Sequence, residues 1–221
     1  MIYNEQYYKS YIKYSGTEEE EALMNFRIHE VLKKALDSLS SGPKHILDLG
    51  CAAGAFLYKA QLSEQVADNN FTGVDINPYC VAHCTSIGVK AFVPAMFDYF
   101  YKDKEIDIMT FWDAFEHLQD PRKLLSEYKP KVICISLPCL DGFHEAMPFT
   151  DIQLWKHYRP QEHLWNFTLE TLTRFLSEAN YNIVHVTYKE SEFRVDKVLG
   201  DKNIMTVIAE KRIHNNDCEK Q

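Results

Sequence analysis

The residues best suited to chemistry begin in one stretch, residues 45–56, which reads HILDLGCAAGAF. It combines an acid, two glycines and small residues between them: Asp48, Gly50, Cys51, Ala52 and Gly54. Apolar residues before this turn predict a strand, and those after it predict a helix. A tight turn of small residues lets backbone N–H groups approach a ligand, and the helix N-terminus adds partial positive charge. The stretch therefore predicts a site for a nucleotide-like cofactor.

A second acid, Asp75, follows the glycine turn by about twenty residues, the spacing at which a carboxylate binds a ribose in nucleotide-binding sheets. Residues 71–74 form a predicted second strand that ends in Asp75, where a carboxylate can accept hydrogen bonds from ribose hydroxyls. The order D-x-G-x-x-x-G, strand, Asp is neither the G-x-G-x-x-G fingerprint nor a P-loop. It resembles motifs I and II of the class I S-adenosylmethionine (SAM)-dependent methyltransferases. The alternative, an ordinary turn in an α/β domain, explains fewer of these residues.

That resemblance covers roughly residues 20–212 and implies a fold and a cofactor. The fold is an α/β, Rossmann-like sheet of seven mostly parallel strands in the order 3-2-1-4-5-7-6, flanked by helices in three layers. The cofactor is SAM, with the adenine ring packed by the loop after the third strand. Alanine at position 52 stands where many members carry the middle glycine, and it is small enough there if the backbone angle is not left-handed. The implied cofactor-binding residues are Asp48, Gly50, Cys51, Ala52, Gly54, Asp75, Ile76, Met96, Phe97, Trp112 and Asp113.

A second motif, D-x-x-E-H-L-x-D-P, begins at Asp113, directly after the predicted fourth strand. It resembles a segment of the ubiquinone-biosynthesis O-methyltransferases, of the methyltransferase type 23 group, and of the Hen1-like small-RNA 2′-O-methyltransferases. By that resemblance Asp113, Glu116 and His117 could hold a divalent cation, Mg²⁺. His117 could also act as a general base, because removing a hydroxyl proton makes the oxygen a better nucleophile. In the alternative reading, Glu116 and His117 only cap and orient the next helix.

A third stretch, residues 138–167, is expected to be a long irregular insertion that forms the acceptor pocket, because long loops in compact domains usually carry function. Its end, R-P-x-E-H followed by F-T, resembles the same families and makes His163 a second candidate base or ligand. His144 and His157 are expected to be solvated loop residues. Trp155 and Trp165 could line an aromatic pocket or simply hold the loop in place.

The elements around these motifs define the domain organisation. Residues 17–212 form the predicted catalytic domain, which begins with an amphipathic helix after the N-cap candidate Thr17. Residues 1–16 contain several tyrosines and are expected to be a surface strap or a lid. Residues 189–202 are charged and predict a surface hairpin arm, and residues 213–221 predict a disordered tail.

Net charge, apolar runs and cysteine spacing disfavour several classes of protein. The chain has 221 residues, 46% of them hydrophobic, and a formal net charge of −8. That charge disfavours a nucleic-acid partner, because binding to phosphates relies on clustered Lys and Arg. No apolar run is long enough to predict a membrane span, and the first residues lack the basic and then apolar pattern that predicts a signal peptide. The six cysteines show no C-x-x-C pair, which favours reduced thiols in the cytoplasm.

The resemblance implies an enzyme that transfers a methyl group from SAM to a hydroxyl, or less favourably an amine. The expected acceptor is a small molecule such as a sugar, a quinone precursor or a natural product. Two alternatives remain open at this stage: a Hen1-like RNA 2′-O-methyltransferase, and a non-catalytic protein that binds SAM or a partner. The acceptor's identity and the oligomeric state are not determined by the sequence.

Overall fold

The computed structural model describes residues 4–13, 16–101, 104–194 and 202–212. They form one seven-stranded sheet in the order β3-β2-β1-β4-β5-β7-β6, which confirms the expected topology. The pairings among β1 to β5 are parallel, whereas β7 runs antiparallel to both β5 and β6. The strands are β1 (His45–Leu49), β2 (Asn70–Val74), β3 (Ala91–Phe92), β4 (Ile108–Trp112), β5 (Val132–Pro138), β6 (Tyr181–Thr187) and β7 (Ile204–Lys211).

Helices cover both faces of this sheet, and three shorter irregular helical segments join them. The helices are α1 (Glu5–Lys13), α2 (Glu18–Asn25), α3 (Lys33–Asp37), α4 (Ala55–Leu62), α5 (Pro78–Ser86), α6 (Pro94–Tyr101), α7 (Pro121–Tyr128), α8 (Leu140–Ala146), α9 (Leu169–Glu178) and α10 (Glu190–Phe193). A π-helix spans Phe26–Leu32, and 3₁₀ turns span Phe115–His117 and Ile152–Leu154. None of the described helices has the length and apolarity needed to cross a bilayer.

The central strands are buried on both faces, as parallel strands covered by helices must be. Every residue of β4 and β5 is buried, so these strands read as continuous apolar runs. Their carboxyl ends deliver Trp112 and Pro138 to the same edge of the sheet. That edge is where ligands bind in open α/β sheets, and all three sequence motifs reach it.

The first long helix departs from the expected regular pattern. Thr17 caps it as predicted, since its hydroxyl accepts from the Glu20 N–H at 3.2 Å. The chain then widens into the π-helix, which buries Phe26, Arg27 and Ile28 together. In a regular α-helix consecutive residues point about 100° apart. The wider turn therefore brings a charged side chain, Arg27, into the interior beside two apolar ones.

The insertion, residues 138–167, is more ordered than predicted. It contains α8 and a 3₁₀ turn, and Leu140, Phe143 and Trp155 form a small core of their own. Its two ends meet at a bridge between Cys139 and Phe167, where the Leu140 N–H donates to the Phe167 carbonyl at 2.9 Å. The prediction of an irregular segment was wrong for α8 and the 3₁₀ turn, because these apolar residues pack on one another. Residues 155–166 contain no helix or strand, as predicted.

The segment after β6 also differs from the prediction of a surface hairpin arm. Residues 190–193 form α10, and both Glu190 and Ser191 are buried. Glu190 can be buried because the buried side chains of Arg27 and Ser136 both donate hydrogen bonds to its carboxylate. The remainder of the predicted arm, residues 195–201, and the predicted tail, residues 213–221, lie outside the described residues.

The N-terminal segment lies against α5. Tyr8 Oη is 3.2 Å from His83 Nδ1, and Asn77 Nδ2 donates to the Asn4 carbonyl at 3.1 Å. Tyr3 and Tyr14 lie outside the described residues. These contacts place α1 close to Asp75, and its role as a strap or a lid stays a prediction.

Candidate functional site

The turn after β1 has the backbone geometry that its small residues allow. Gly50 and Gly54 both have positive φ, 81° and 82°. A Cβ on Gly50 would lie 2.6 Å from the Ala114 Cβ, and one on Gly54 would lie 2.8 Å from the Cys84 Sγ. Ala52 has φ 46°, so its backbone lies in the left-handed region and the condition under which an alanine suits this position is not met. Its strain costs about 1–2 kcal/mol, which the turn tolerates.

Asp75 is tied to this turn by its carboxylate. One oxygen accepts from the Ala52 N–H and the other from the Asn77 N–H, each at 2.8 Å. Burial raises the pKa of Asp75, and the two N–H donors act against that rise. The carboxylate is thus held at the carboxyl end of β2 with lone pairs left to accept from a diol.

Asp48 is placed differently from Asp75. It is buried within β1, where the Thr110 hydroxyl donates to it at 2.7 Å. Burial raises the pKa of Asp48 to about 7. The Cys51 side chain is likewise buried, in contact with Cys84. Both side chains therefore point into the protein interior and pack beneath the turn, on the side away from solvent.

The residues expected to flank an adenine ring divide into two groups. Ile76 and Met96 are exposed, at 57% and 50%. Phe97 is 2% exposed and stacks on Tyr101 with ring centroids 4.9 Å apart, so the prediction that it lines the cofactor site was wrong. Residues 94–101 form helix α6 rather than a loop, and neighbouring side chains of a helix point to different faces.

Trp112 ends β4 and is also more enclosed than expected. Its ring packs against Phe56 with centroids 5.1 Å apart, and the Arg27 guanidinium lies 4.9 Å from the ring centroid. One face of the indole of this expected cofactor-binding residue therefore meets a protein cation. Its Nε1 is buried and has no hydrogen-bond partner among the described residues.

Asp113 is held by two arginines. Arg194 donates to both of its carboxylate oxygens, at 2.7 and 2.6 Å, and Arg27 donates to one of them at 3.1 Å. Arg27 also donates to Glu190 at 2.6 and 3.3 Å. The arginines hold the pKa of Asp113 well below its usual range despite its burial. We call Arg27, Asp113, Glu190 and Arg194 the arginine–carboxylate network.

A second cluster lies beside this network. It consists of Glu116, His117 and His163. Each residue contributes one possible metal-ligand atom, and these three atoms all lie within 4.8 Å of one another. The two imidazole rings stand edge to face with centroids 4.7 Å apart. The backbone carbonyl of Glu116 accepts from the N–H groups of residues 164 and 165, at 2.9 and 3.2 Å. These bonds attach the insertion to the end of β4, and so His163 to His117.

Backbone carbonyls orient both rings of this cluster. His117 Nδ1 lies 2.8 Å from the Glu162 carbonyl, which can only accept, so Nδ1 carries the proton and Nε2 presents a lone pair. His163 is hydrogen-bonded to the backbone of His157. Imidazoles that ligate metals are held in this way, with one nitrogen donating to a carbonyl and the other free.

The Glu116 carboxyl group has no hydrogen-bond partner among the described residues, although His117 Nε2 lies 4.0 Å from its Oε1. Both oxygens are buried, and burial, followed by the nearby Asp113 carboxylate, raises the pKa of Glu116 to about 8. A buried polar group without a partner is costly, so this carboxyl needs a proton or a cation. One carboxylate and two imidazoles suit a divalent transition metal better than Mg²⁺, which prefers oxygen ligands.

The structure therefore changes the predicted ligand set. Glu116 and His117 are together as expected, but Asp113 is not with them, because its carboxylate is bound by the two arginines. His163 occupies the third place instead. His157, expected to be solvated, is also close: its ring lies 6.4 Å from that of His163. It donates to Asn203 Oδ1 at 2.9 Å, and burial lowers its pKa to about 4.

Sequence reasoning missed the basic half of the site. Glu190 and Arg194 lie in the predicted surface arm and Arg27 lies in the first predicted helix, none with a proposed role, yet both Arg27 and Glu190 are buried. One signal was available for Arg27, because it stands between Phe26 and Ile28 in an apolar stretch. No comparable signal marks Glu190 or Arg194.

Comparisons with known proteins agree with this geometry. A family model described as a methyltransferase domain matches residues 22–186. Of the solved structures, a bacterial Hen1 methyltransferase domain is similar at 17% identity and TM-score 0.56, with 86% of this chain and 100% of that chain covered. The plantazolicin methyltransferase BpumL, crystallised with a plantazolicin analog and S-adenosylhomocysteine (SAH), is similar at 14% identity and TM-score 0.62, with 94% and 91% covered.

A third similar structure is a Haloferax volcanii complex of the Trm112 methyltransferase activator with a putative methyltransferase. The identity is 14% and the TM-score 0.60, with 89% of this chain and 98% of that chain covered. No curated protein matches the sequence. At these identities the structural matches show a shared fold.

Proposed function

Since this chain belongs to the class I SAM-dependent methyltransferases, within the methyltransferase type 23 group, we propose that it methylates a hydroxyl oxygen of a small-molecule acceptor. The observation that carries the proposal is the cluster of Glu116, His117 and His163 at the carboxyl end of β4. It offers an oriented imidazole lone pair beside the cofactor crevice, which is what proton removal from an acceptor hydroxyl requires.

The cofactor is assigned to the edge formed by β1, β2 and β3. Asp75 would receive the ribose hydroxyls, and the turn at Gly50 and Gly54 would let the backbone approach the rest of SAM. The exposed side chains of Ile76 and Met96 would cover the adenine ring. SAH in the similar BpumL structure supports SAM as the methyl donor.

The reaction transfers one methyl group and one proton. The acceptor oxygen attacks the methyl carbon in line with the sulfonium, the carbon–sulfur bond breaks, and its electron pair remains on sulfur to give SAH. The hydroxyl proton passes to Nε2 of His117 or to the free nitrogen of His163. Most of the acceleration comes from holding the oxygen against the methyl group, because orientation replaces a bimolecular encounter.

As an alternative to accepting the proton directly, the same cluster could hold a cation, because an imidazole nitrogen that binds a metal has no lone pair left for a proton. Glu116, His117 and His163 would hold a divalent transition metal, and its charge would satisfy the buried carboxylate. When bound, such an ion would lower the pKa of a coordinated hydroxyl or water. The earlier expectation of Mg²⁺ on Asp113, Glu116 and His117 is not supported, because Asp113 is bound by arginines.

A small molecule is the preferred acceptor class. The net charge of −8 argues against RNA, since such binding depends on phosphate neutralisation, and the likeness to a Hen1 domain shows only the fold. The five cysteines in the described residues are free, which is compatible with a cytoplasmic location.

Calorimetric titration with SAH, with NAD as the control ligand, tests the cofactor assignment. Micromolar binding of SAH alone is expected, and no SAH binding would overturn the proposal. Transfer from labelled SAM to a panel of hydroxylated aromatics and sugars then tests the acceptor class.

Variants of the cluster test the proton step. His117→Ala and His163→Ala should bind SAH like the parent protein but transfer methyl groups about 10²- to 10⁴-fold more slowly, the range for general acid–base groups. His144→Ala is the matched control, since His144 lies in the same insertion and is exposed. Unchanged transfer rates in both cluster variants would refute their role.

A further inference from the structure

The position of Asp113 raises a question that the proposed function leaves open. Asp113 precedes Glu116 by three residues at the same strand end, yet its carboxylate is absent from the cluster of Glu116, His117 and His163. Arg194 binds it through two parallel hydrogen bonds, at 2.7 and 2.6 Å. Paired bonds of this kind are among the strongest that a carboxylate forms.

The Asp113 backbone is strained in the arginine-bound arrangement. Its φ is 54°, in the left-handed region that costs a non-glycine residue about 1–2 kcal/mol. Such conformations persist only where the surroundings hold them. Here the Asp113 N–H donates to the Ser136 carbonyl at 2.9 Å, and the two arginines hold its carboxylate.

Arg194 and Glu116 also act on each other directly. The positive charge of Arg194 opposes the rise in the pKa of Glu116, and the negative charge of Asp113 adds to it. The Arg194 guanidinium is thus in the field of both carboxylates. While it binds Asp113, it withholds that carboxylate as a ligand.

Of the two arginines, Arg194 is the one that can leave. Its side chain is 31% exposed, compared with 7% for Arg27. Without Arg194, Glu190 keeps Arg27 and the Ser136 hydroxyl, which donates at 2.7 Å. Asp113 keeps one bond from Arg27, at 3.1 Å. Displacement of Arg194 therefore leaves each of these buried acids with a partner.

We infer that Arg194 controls the ligand number of the cation cluster. When Arg194 binds Asp113, the cluster offers three protein ligands. When Arg194 is displaced, Asp113 joins Glu116, His117 and His163 as a second carboxylate, and the affinity for a divalent cation rises. This inference rests on the proposed function only in that Glu116, His117 and His163 bind a cation.

Titration of the full chain with Co²⁺ alone, without SAM or acceptor, tests the inference. Calorimetry gives the affinity, and the visible absorption of bound Co²⁺ reports its coordination. Arg194→Gln should bind Co²⁺ roughly 10- to 100-fold more tightly than the parent protein, the range typical of changes around metal ligands. Its Co²⁺ absorption should weaken per bound ion, as expected for a higher coordination number.

A second substitution distinguishes two causes of tighter Co²⁺ binding: ligation by Asp113, and loss of the repulsion between Arg194 and the cation. Asp113→Asn alone should bind Co²⁺ like the parent protein, and the double variant with Arg194→Gln should lose the gain in affinity. Equal affinities of Arg194→Gln and the parent protein would overturn the inference. A gain that survives in the double variant would also overturn it, because repulsion of the cation would then explain the effect.

Two further variants serve as controls, one for the cation site itself and one for the folding of Arg194→Gln. His163→Gln tests the cluster itself: if it binds Co²⁺ as well as the parent protein does, the cation site fails, and the inference fails with it, while methyl transfer remains testable with SAH. Arg194→Lys retains the charge but not the paired bonds and should show an intermediate gain. It replaces Arg194→Gln if thermal unfolding shows that the latter does not fold, and a Co²⁺ affinity equal to the parent's would then overturn the inference.

Discussion

The two halves of the crevice are built in different ways. On the cofactor side, Asp48, the glycine turn and Asp75 all come from residues 48–75, and Asp75 accepts from the Ala52 and Asn77 N–H groups within that stretch and directly after it. On the acceptor side, Arg27 meets Glu190, a residue 163 positions away, and Arg194 meets Asp113, 81 positions away. The first half is local in sequence and the second is assembled by the fold.

The carboxylates in the two halves of the crevice also have different kinds of hydrogen-bond partner. Asp75 is bound by backbone N–H groups, which any sequence supplies once the turn forms. Asp113 and Glu190 are bound by particular arginine side chains. The comparison teaches that the cofactor side depends on backbone geometry, whereas the acceptor side depends on the identities of a few distant residues. The following predictions test that difference, from the largest effect to the smallest.

Arg27→Met should destabilise the protein by about 3–5 kcal/mol, because it removes one partner from a buried ion pair and leaves Glu190 short of a cation. Glu190 is fully buried and Arg27 is its shortest contact, at 2.6 Å. Urea unfolding measures the change. A loss of less than about 1 kcal/mol would show that Arg194 and Ser136 are sufficient for Glu190.

Asp75→Ala should weaken SAH binding roughly 100-fold, equivalent to about 2.7 kcal/mol, because a charged acceptor and the shape of the turn are both lost. Calorimetry with SAH measures it, and circular dichroism checks that the fold is retained. Asp98→Asn is the control, since Asp98 lies on α6 nearby but its carboxylate is bound by the Tyr128 hydroxyl. Unchanged affinity in Asp75→Ala would remove its assigned ribose role.

Asp48 should make stability fall as pH rises. Its pKa is raised to about 7 in the folded protein from about 3.9 in an unfolded chain, so the folded state binds more protons between these values. The resulting stability is fully present below about pH 4 and is lost as pH rises through about 7. Asp48→Asn should remove this dependence.

Urea unfolding at pH 5 and pH 7.5 measures the Asp48 effect. Relative to Asp48→Asn, the parent protein should lose about 2 kcal/mol between the two pH values, since one pKa unit corresponds to about 1.4 kcal/mol. Asp107→Asn is the matched control, because hydrogen bonds from Lys131 and the His45 N–H lower the pKa of Asp107 despite partial burial. An identical pH dependence in the parent and Asp48→Asn proteins would contradict the prediction.

Glu145→Gln should have the smallest effect, less than about 1 kcal/mol. Glu145 pairs with Lys202 and so joins the insertion to the start of β7, as a charge pair between distant residues. Both side chains are largely exposed, at 59% and 42%, so water screens the pair. A loss as large as that of Arg27→Met would mean that distance in sequence, rather than burial, determines the energies on the acceptor side.

Sequence reasoning predicted the scaffold well. The strand order, the helix that begins at Thr17 and the helix that begins after Thr168 are confirmed, because capping residues and apolar periodicity act over a few positions. The predictions that failed depend on packing between elements. Phe97 was placed at the cofactor because α6 was read as a loop, and Lys189–Lys202 was read as exposed although Glu190 is buried.

By itself, the sequence determined the strand–turn–helix at Gly50 and Gly54, the carboxylate at the end of β2 and the motif that contains Glu116 and His117. These features are local, so residue types and spacing are enough to define them. The sequence offered His163 as a candidate, but only the tertiary structure decided that it lies beside Glu116 and His117 and that Asp113 does not. The reason is that buried charges must find partners, and which arginine or histidine is near enough depends on how distant segments pack.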